Sequence, residues 1–120
     1  MTDALVTVRA LWSSSPLIGI GIRCSVTAAG RLNGYAFIYD GSDYSLVRYT
    51  NSSPLTSVLS MSPPSDGIPV TLEAVGSTIR VLVEGVEAGS ITDTTYADGN
   101  PAVLALDING TFSLFEHSPI

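Results

Sequence analysis

The 120 residues suffice for one compact domain, and 45% are apolar against 13% charged, a balance that excludes intrinsic disorder, which needs low hydrophobicity and high net charge. The net charge is −6 and all five basic residues (Arg9, Arg23, Arg31, Arg48 and Arg80) are isolated arginines, so the cationic stripe needed for nucleic acid or an anionic membrane is missing. A single cysteine, Cys24, excludes an intrachain disulfide and a multi-cysteine metal cluster, and no apolar run approaches the roughly 20 residues of a membrane-spanning helix.

Period two runs along the chain. Val6, Val8, Ala10 and Trp12 continue a period of two in the first segment, with Thr7 and Arg9 between the first three. In Ile18-Gly-Ile-Gly-Ile-Arg-Cys-Ser-Val26 every even position is apolar, and Gly19, Gly21, Arg23 and Ser25 fill the other face. Alternate side chains leave opposite faces of a sheet, so both segments predict half-buried strands, with Cys24 a small buried residue. Further strands are predicted over residues 35–40, 44–49, 55–61, 70–75, 78–84, 87–92, 102–108 and 111–116. Tyr35, Phe37 and Tyr39 share one face and read as core. Tyr44 and Tyr49 alternate away from each other, which leaves one free to be exposed. Ile79, Val81 and Val83 point to the core, Thr78, Arg80 and Glu84 away from it, with Leu82 an exception.

The punctuation between these runs agrees. Asn33-Gly34, Asp40-Gly41, Asp66-Gly67, Asp98-Gly99 and Asn109-Gly110 are pairs that tolerate the positive φ of tight turns. Gly76-Ser77 and Gly85 suit two further hairpins. The double proline in Ser62-Pro-Pro-Ser-Asp-Gly67 marks a loop. No segment has sustained helical spacing. About ten short strands in one chain predict an all-β fold, an antiparallel two-sheet β-sandwich, over a single domain spanning residues 1–120.

Catalytic chemistry finds little support. Glycoside hydrolysis needs two carboxyl groups about 5–10 Å apart across the sugar. Glu84 and Glu87 only flank a turn, and Glu73 stands alone. The single histidine, His117, follows an alternating strand near the C-terminal end and reads as a solvent-exposed tail residue rather than a base. The N-glycosylation triplets at Asn51 and Asn109 read as chance matches, because the first residues lack the basic and apolar regions of a signal peptide. Calcium prefers several oxygen ligands, and Asp93 and Asp98 bracket one loop as Asp40 and Asp43 bracket another. Turn chemistry competes for the same aspartates. Sugar recognition uses exposed aromatics with planar polar partners. Tyr44, Tyr49 and Arg48 are the candidate ligand-binding set, although Arg23 and Arg48 equally suit hydrogen-bonded links on a polar sheet face.

In order along the chain, Ile18-Gly-Ile-Gly-Ile-Arg23, Asn33-Gly34-Tyr35-Ala-Phe37, Tyr44-Ser-Leu-Val-Arg48, the run from Val70 to Gly85 and Ser90-Ile-Thr-Asp93-Thr-Thr-Tyr96-Ala-Asp-Gly99 resemble the concanavalin A-like jelly-roll superfamily, especially its laminin-G-like branch. The resemblance implies a jelly-roll sandwich and raises calcium at a loop rim, through Asp93 and Asp98, as the one cofactor to consider. It also implies a choice of roles, since that fold serves lectins, glycoside hydrolases, adhesion modules and phage virion proteins. Members are usually longer, so this shortened version should leave sheet edges open, to be covered by neighbouring subunits or by a second copy. The expectation is a non-catalytic structural or adhesive module on a virion or extracellular surface, such as a phage capsid-decoration or tail protein. Its partners would be other protein subunits, not nucleic acid or membrane. The alternative is a carbohydrate-binding, lectin-like module that takes a glycan, with a glycoside hydrolase third.

Overall fold

The computed structural model describes residues 3–10, 18–39, 43–51, 53–59, 67–105 and 112–119. They form ten strands: β1 (Ala4–Ala10), β2 (Ile18–Val26), β3 (Leu32–Tyr39), β4 (Tyr44–Thr50), β5 (Ser53–Leu59), β6 (Pro69–Val75), β7 (Thr78–Val83), β8 (Val86–Thr92), β9 (Asn100–Ala105) and β10 (Phe112–Pro119). No helix occurs among the described residues. One sheet has the order β10-β1-β6-β7-β8 and the other β5-β4-β3-β2-β9, and all pairings are antiparallel. The fold is therefore the all-β, two-sheet antiparallel sandwich that the alternation predicts, and its arrangement is jelly-roll-like. Two meanders, β2 to β5 and β6 to β8, supply one sheet each. The remaining strands complete the layers: β1 lies between β6 and β10, and β9 returns beside β2.

The core sits between the sheets and obeys the predicted parity. Val6, Leu72, Ile79 and Val81 from the first sheet meet Ile20, Ile22, Tyr35, Phe37 and Leu46 from the second, all essentially inaccessible to solvent. Full burial of such side chains contributes about 1.5–3 kcal/mol each. At one end of the sandwich the filling is aromatic. Tyr44 stacks on Tyr39 at 4.4 Å and on Phe37 at 5.9 Å. A smaller cluster of Ala36, Ile38 and Val47, with Tyr49 packed on it, lies on the outward face of the second sheet. Gly19 belongs to that face: a Cβ there would stand 2.6 Å from Ile38 Cδ1. Gly19 thus makes room for an apolar outer cluster, where parity alone suggests a polar face.

Turns account for the local detail. Gly76 and Ser77 close the β6–β7 hairpin, and Glu84 and Gly85 close β7–β8 with φ of 51° and 81°. Two successive positive φ values are those of a type I′ turn, whose twist matches the flanking strands. Asn33-Gly34, in contrast, is not a turn. It lies inside β3, paired opposite Ser25 and Tyr49. Gly34 is needed there because a Cβ would stand 2.7 Å from both Cα and Sγ of Cys24. Asp98-Gly99 is not a tight hairpin either; it ends the connection that carries the chain from β8 to β9 in the opposite sheet. His117 falls within β10 rather than beyond it, opposite Val6. Trp12, Asp40-Gly41, Pro63-Pro64 and Asn109-Gly110 lie outside the described residues.

Candidate functional site

The polar residues with the most connected chemistry gather at the end of the sandwich where β6 turns into β7. Arg48 is the starting point. Residues 44, 46 and 48 of β4 share the inward face, so Arg48 follows Tyr44 and Leu46 into the gap between the sheets, directly opposite Tyr35 in the β3–β4 ladder. The pair reaches one carboxylate. Tyr35 Oη donates to Asp93 Oδ1 at 2.7 Å, and Arg48 Nη1 donates to Asp93 Oδ2 at 2.6 Å. Asp93 follows the end of β8, and its own N–H donates to Ser77 O at 2.8 Å, fastening it to the first sheet. The side chain also forms an Asx turn, accepting from the Thr95 N–H at 2.8 Å.

Tyr96 continues the network. Its N–H donates to Tyr35 Oη at 3.1 Å, and the two rings meet edge to face with centroids 5.6 Å apart. Its hydroxyl donates to Asn33 Oδ1 at 3.2 Å and lies 2.8 Å from Thr50 Oγ1. Asn33 Oδ1 also accepts from the Asn51 N–H at 2.8 Å. The loop from 93 to 96 is thereby strapped across the open end, rooted in one sheet and bonded to β3 and β4 of the other.

Arg23 makes a second inter-sheet link. The pairing of β2 with both neighbours slips around Arg23 and Cys24, and Arg23 adopts φ 51°. This bulge turns its side chain inward, and the residue is only 2% exposed. Its Nη1 donates to Gly76 O at 2.7 Å, and its Nη2 stands 3.8 Å from Asp3 Oδ1. That carboxylate accepts in turn from the Gly76 N–H at 2.8 Å. Left-handed backbone at a non-glycine residue costs about 1–3 kcal/mol, so the buried guanidinium contacts must exceed it. The expectation that Arg23 and Arg48 form hydrogen-bonded links on a polar sheet face is therefore corrected in its location: both form such links, but between the sheets. On the true outer face of the first sheet, Arg80 pairs instead with Glu73 at 2.5 Å and Glu87 at 3.5 Å.

The electrostatics follow the bonds. Burial alone would raise the Asp93 carboxyl, but hydrogen bonds from Thr95, Tyr35 and Arg48 outweigh it and hold the pKa at about 2. Burial pushes the Tyr35 phenol up to about 12 and the Cys24 thiol to about 11. Cys24 is the small buried residue expected, 4% exposed, with its sulfur 3.5 Å from Ile22 O and 3.6 Å from Tyr35 O.

The sequence-predicted site residues separate. Tyr44 is buried in the aromatic end, Tyr49 is half-buried on the outer face, and Arg48 lies inside, so the three converge on no common surface. Asp98 is exposed, whereas both oxygens of Asp93 accept bonds from its own chain, and Arg48 supplies the positive charge beside it. No group of three or more His, Cys, Asp or Glu side chains suited to a metal ion occurs among the described residues. Asn33, Thr50, Thr95 and Tyr96 are members of the network that sequence reasoning missed. Two signals were present: Asp93-Thr-Thr95 has the spacing of an Asx turn, and a core tyrosine such as Tyr35 needs a partner for its hydroxyl. Fold and site together define a jelly-roll-like β-sandwich whose strongest polar cluster seals the space between its sheets. No protein-family model matches the chain, and no curated protein matches it.

Proposed function

We propose that the chain is a non-catalytic structural or adhesive module, a concanavalin A-like sandwich of the laminin-G-like kind that acts as a subunit of a larger surface assembly, such as a phage capsid-decoration or tail protein. One observation carries this reading. Arg48 and Asp93, the residues best suited by type to bind a sugar or a cation, are engaged with Tyr35, Thr95 and each other in joining the two sheets. Such a protein works through the outside of its strands, and its polar interior gives it rigidity. The exposed apolar residues Val26, Leu55, Val58, Val75 and Val86 are spread over several strands, which suits contact with protein neighbours.

The test is direct. The purified chain should self-associate or bind a particle while giving no signal on a glycan array. Selective sugar binding that is lost in Tyr49→Ala would favour the lectin-like reading instead. Polysaccharide hydrolysis abolished by Glu84→Gln or Glu87→Gln would overturn the non-catalytic one.

A further inference from the structure

We propose that the free edge of β5 is a self-pairing edge, through which two copies of the chain join antiparallel about a twofold axis at Ser57. This rests on the assembly reading above and names its partner, a second copy, and its surface. Among the described residues β5 is the outermost strand of its sheet and pairs with β4 alone. Thr50 and its ladder partner Ser53 are only three positions apart in the sequence and close the β4–β5 ladder. Such a pair exchanges both backbone bonds, and bonded and non-bonded pairs then alternate along the ladder. Leu55, Ser57 and Leu59 therefore bond inward to Arg48, Leu46 and Tyr44. Pro54, Thr56 and Val58 turn their backbone groups outward. Proline has no N–H to offer, so Thr56 and Val58 form the usable edge.

The composition of the strand selects a copy of itself. The chain carries a net charge of −6, so its copies repel wherever acidic surfaces meet. β5, Ser-Pro-Leu-Thr-Ser-Val-Leu, has no charged residue along its length. The outer strands β8 and β10 carry Glu87 and Glu116, and β9, which like β5 has a proline at its second position, is one residue shorter. Exposed edges are ordinarily blunted by lysine, proline, inward charge or a bulge, and in β5 only Pro54, at one end, is of this kind. From Leu55 onward β5 has none of these: its pairing with β4 is unbroken in register, and residues 53–58 are all exposed, Leu55 by 58% and Val58 by 62%.

With Ser57 opposite its copy, Thr56 and Val58 exchange backbone bonds with Val58 and Thr56 of the second chain. Thr56 packs beside Val58 on one face, and Leu55 beside Leu59 on the other. Both are pairs of the kind that stabilise antiparallel ladders. The two five-stranded sheets become one continuous ten-stranded sheet. One strand edge buries less than the roughly 1,200–2,000 Å² of a standard interface, so the pair should form at high local concentration and separate in dilute buffer.

Residue-resolved amide exchange across a concentration series tests this. The Thr56 and Val58 amides should slow as concentration rises, about tenfold once nine-tenths of the chains are paired, while those of Leu55 and Ser57, already bonded to β4, stay unchanged. Ser57→Lys and Ser57→Glu each place like charges across the axis on an exposed strand. Each variant alone should stay monomeric by light scattering, and an equimolar mixture should pair again. Oligomers that persist in both variants, with Thr56 and Val58 exchanging as fast as in dilute protein, overturn the β5 assignment and leave the assembly reading standing. A monomer at every concentration, with no affinity for a particle, overturns both.

Discussion

Asp93 concentrates three roles in one side chain: it caps its own loop, orients Tyr35 and neutralises Arg48. Its folded pKa of about 2 lies below the unfolded value of 3.8, so the unfolded chain takes up the proton first. The stability that this group contributes is complete above pH 3.8 and is lost as pH falls toward 2. At most it amounts to about 2 kcal/mol. An acid titration of chemical stability should show that loss, and Asp93→Asn should both lower stability at neutral pH by about 1–3 kcal/mol and flatten the acid limb. Tyr35 acts at the other extreme: with its pKa raised from 10.0 to about 12, stability holds below pH 10 and falls as pH rises through 12. Arg48 reaches Asp93 through Nη1 alone, and its buried Nε has no acceptor among the described residues. A single-point contact is one that lysine can reproduce, so Arg48→Lys should retain more stability than Arg48→Ala in urea unfolding. Adding or chelating calcium should leave the melting temperature of the wild-type protein unmoved, since the charge of Asp93 is already met.

At the scale of the strands, the decisive feature is the bulge in β2. It places Arg23 in a left-handed conformation and brings the backbone of Gly99 and Gly34 against residues 23 and 24. A Cβ at Gly99 would stand 2.3 Å from the carbonyl carbon of Arg23, and main chain cannot yield as a side-chain tip can. Gly99→Ala should therefore cost about 2–4 kcal/mol by denaturant melting. Gly89→Ala should cost clearly less, because its Cβ would meet only the mobile methyl ends of Leu59, at 2.5 and 3.0 Å. At position 23 the usual order should invert, with Arg23→Gly more stable than Arg23→Ala by about 1 kcal/mol, since only glycine accepts φ 51° without strain. These same elements show where sequence reading succeeds. Alternation located all ten strands and the core-facing residues of β7, because one buried face leaves an unambiguous period of two. The same parity, carried from Tyr44 and Leu46, turns Arg48 inward, where its charge had suggested a polar face. Arg23 was beyond it: a one-residue insertion reverses parity, and nothing in Ile-Arg-Cys-Ser announces a left-handed arginine. Asn33-Gly34 misled for a related reason, since a glycine that relieves a close approach looks identical to one that turns a chain.

At the scale of the molecule, the site is less a place where something enters than a closure that keeps two sheets in register. Leu72, wholly buried among strands of both layers, tests how strongly the layers depend on one another; Leu72→Ala should cost about 2–5 kcal/mol in a cooperative transition. The order of pairing is strongly non-local, because β1 waits for β10, and folding should accordingly fall in the millisecond-to-second range seen by stopped flow for β-sandwiches. That pairing has a practical corollary. Ala4 stands directly across from Pro119, which places the start of β1 and the end of β10 about 5 Å apart at one corner. A few flexible residues should join them, and new termini opened at Glu84 and Gly85 would give a circular permutant with every strand retained. Chain leading into β1 and chain leaving β10 therefore meet at that same corner, on the sheet opposite the one that ends in β5.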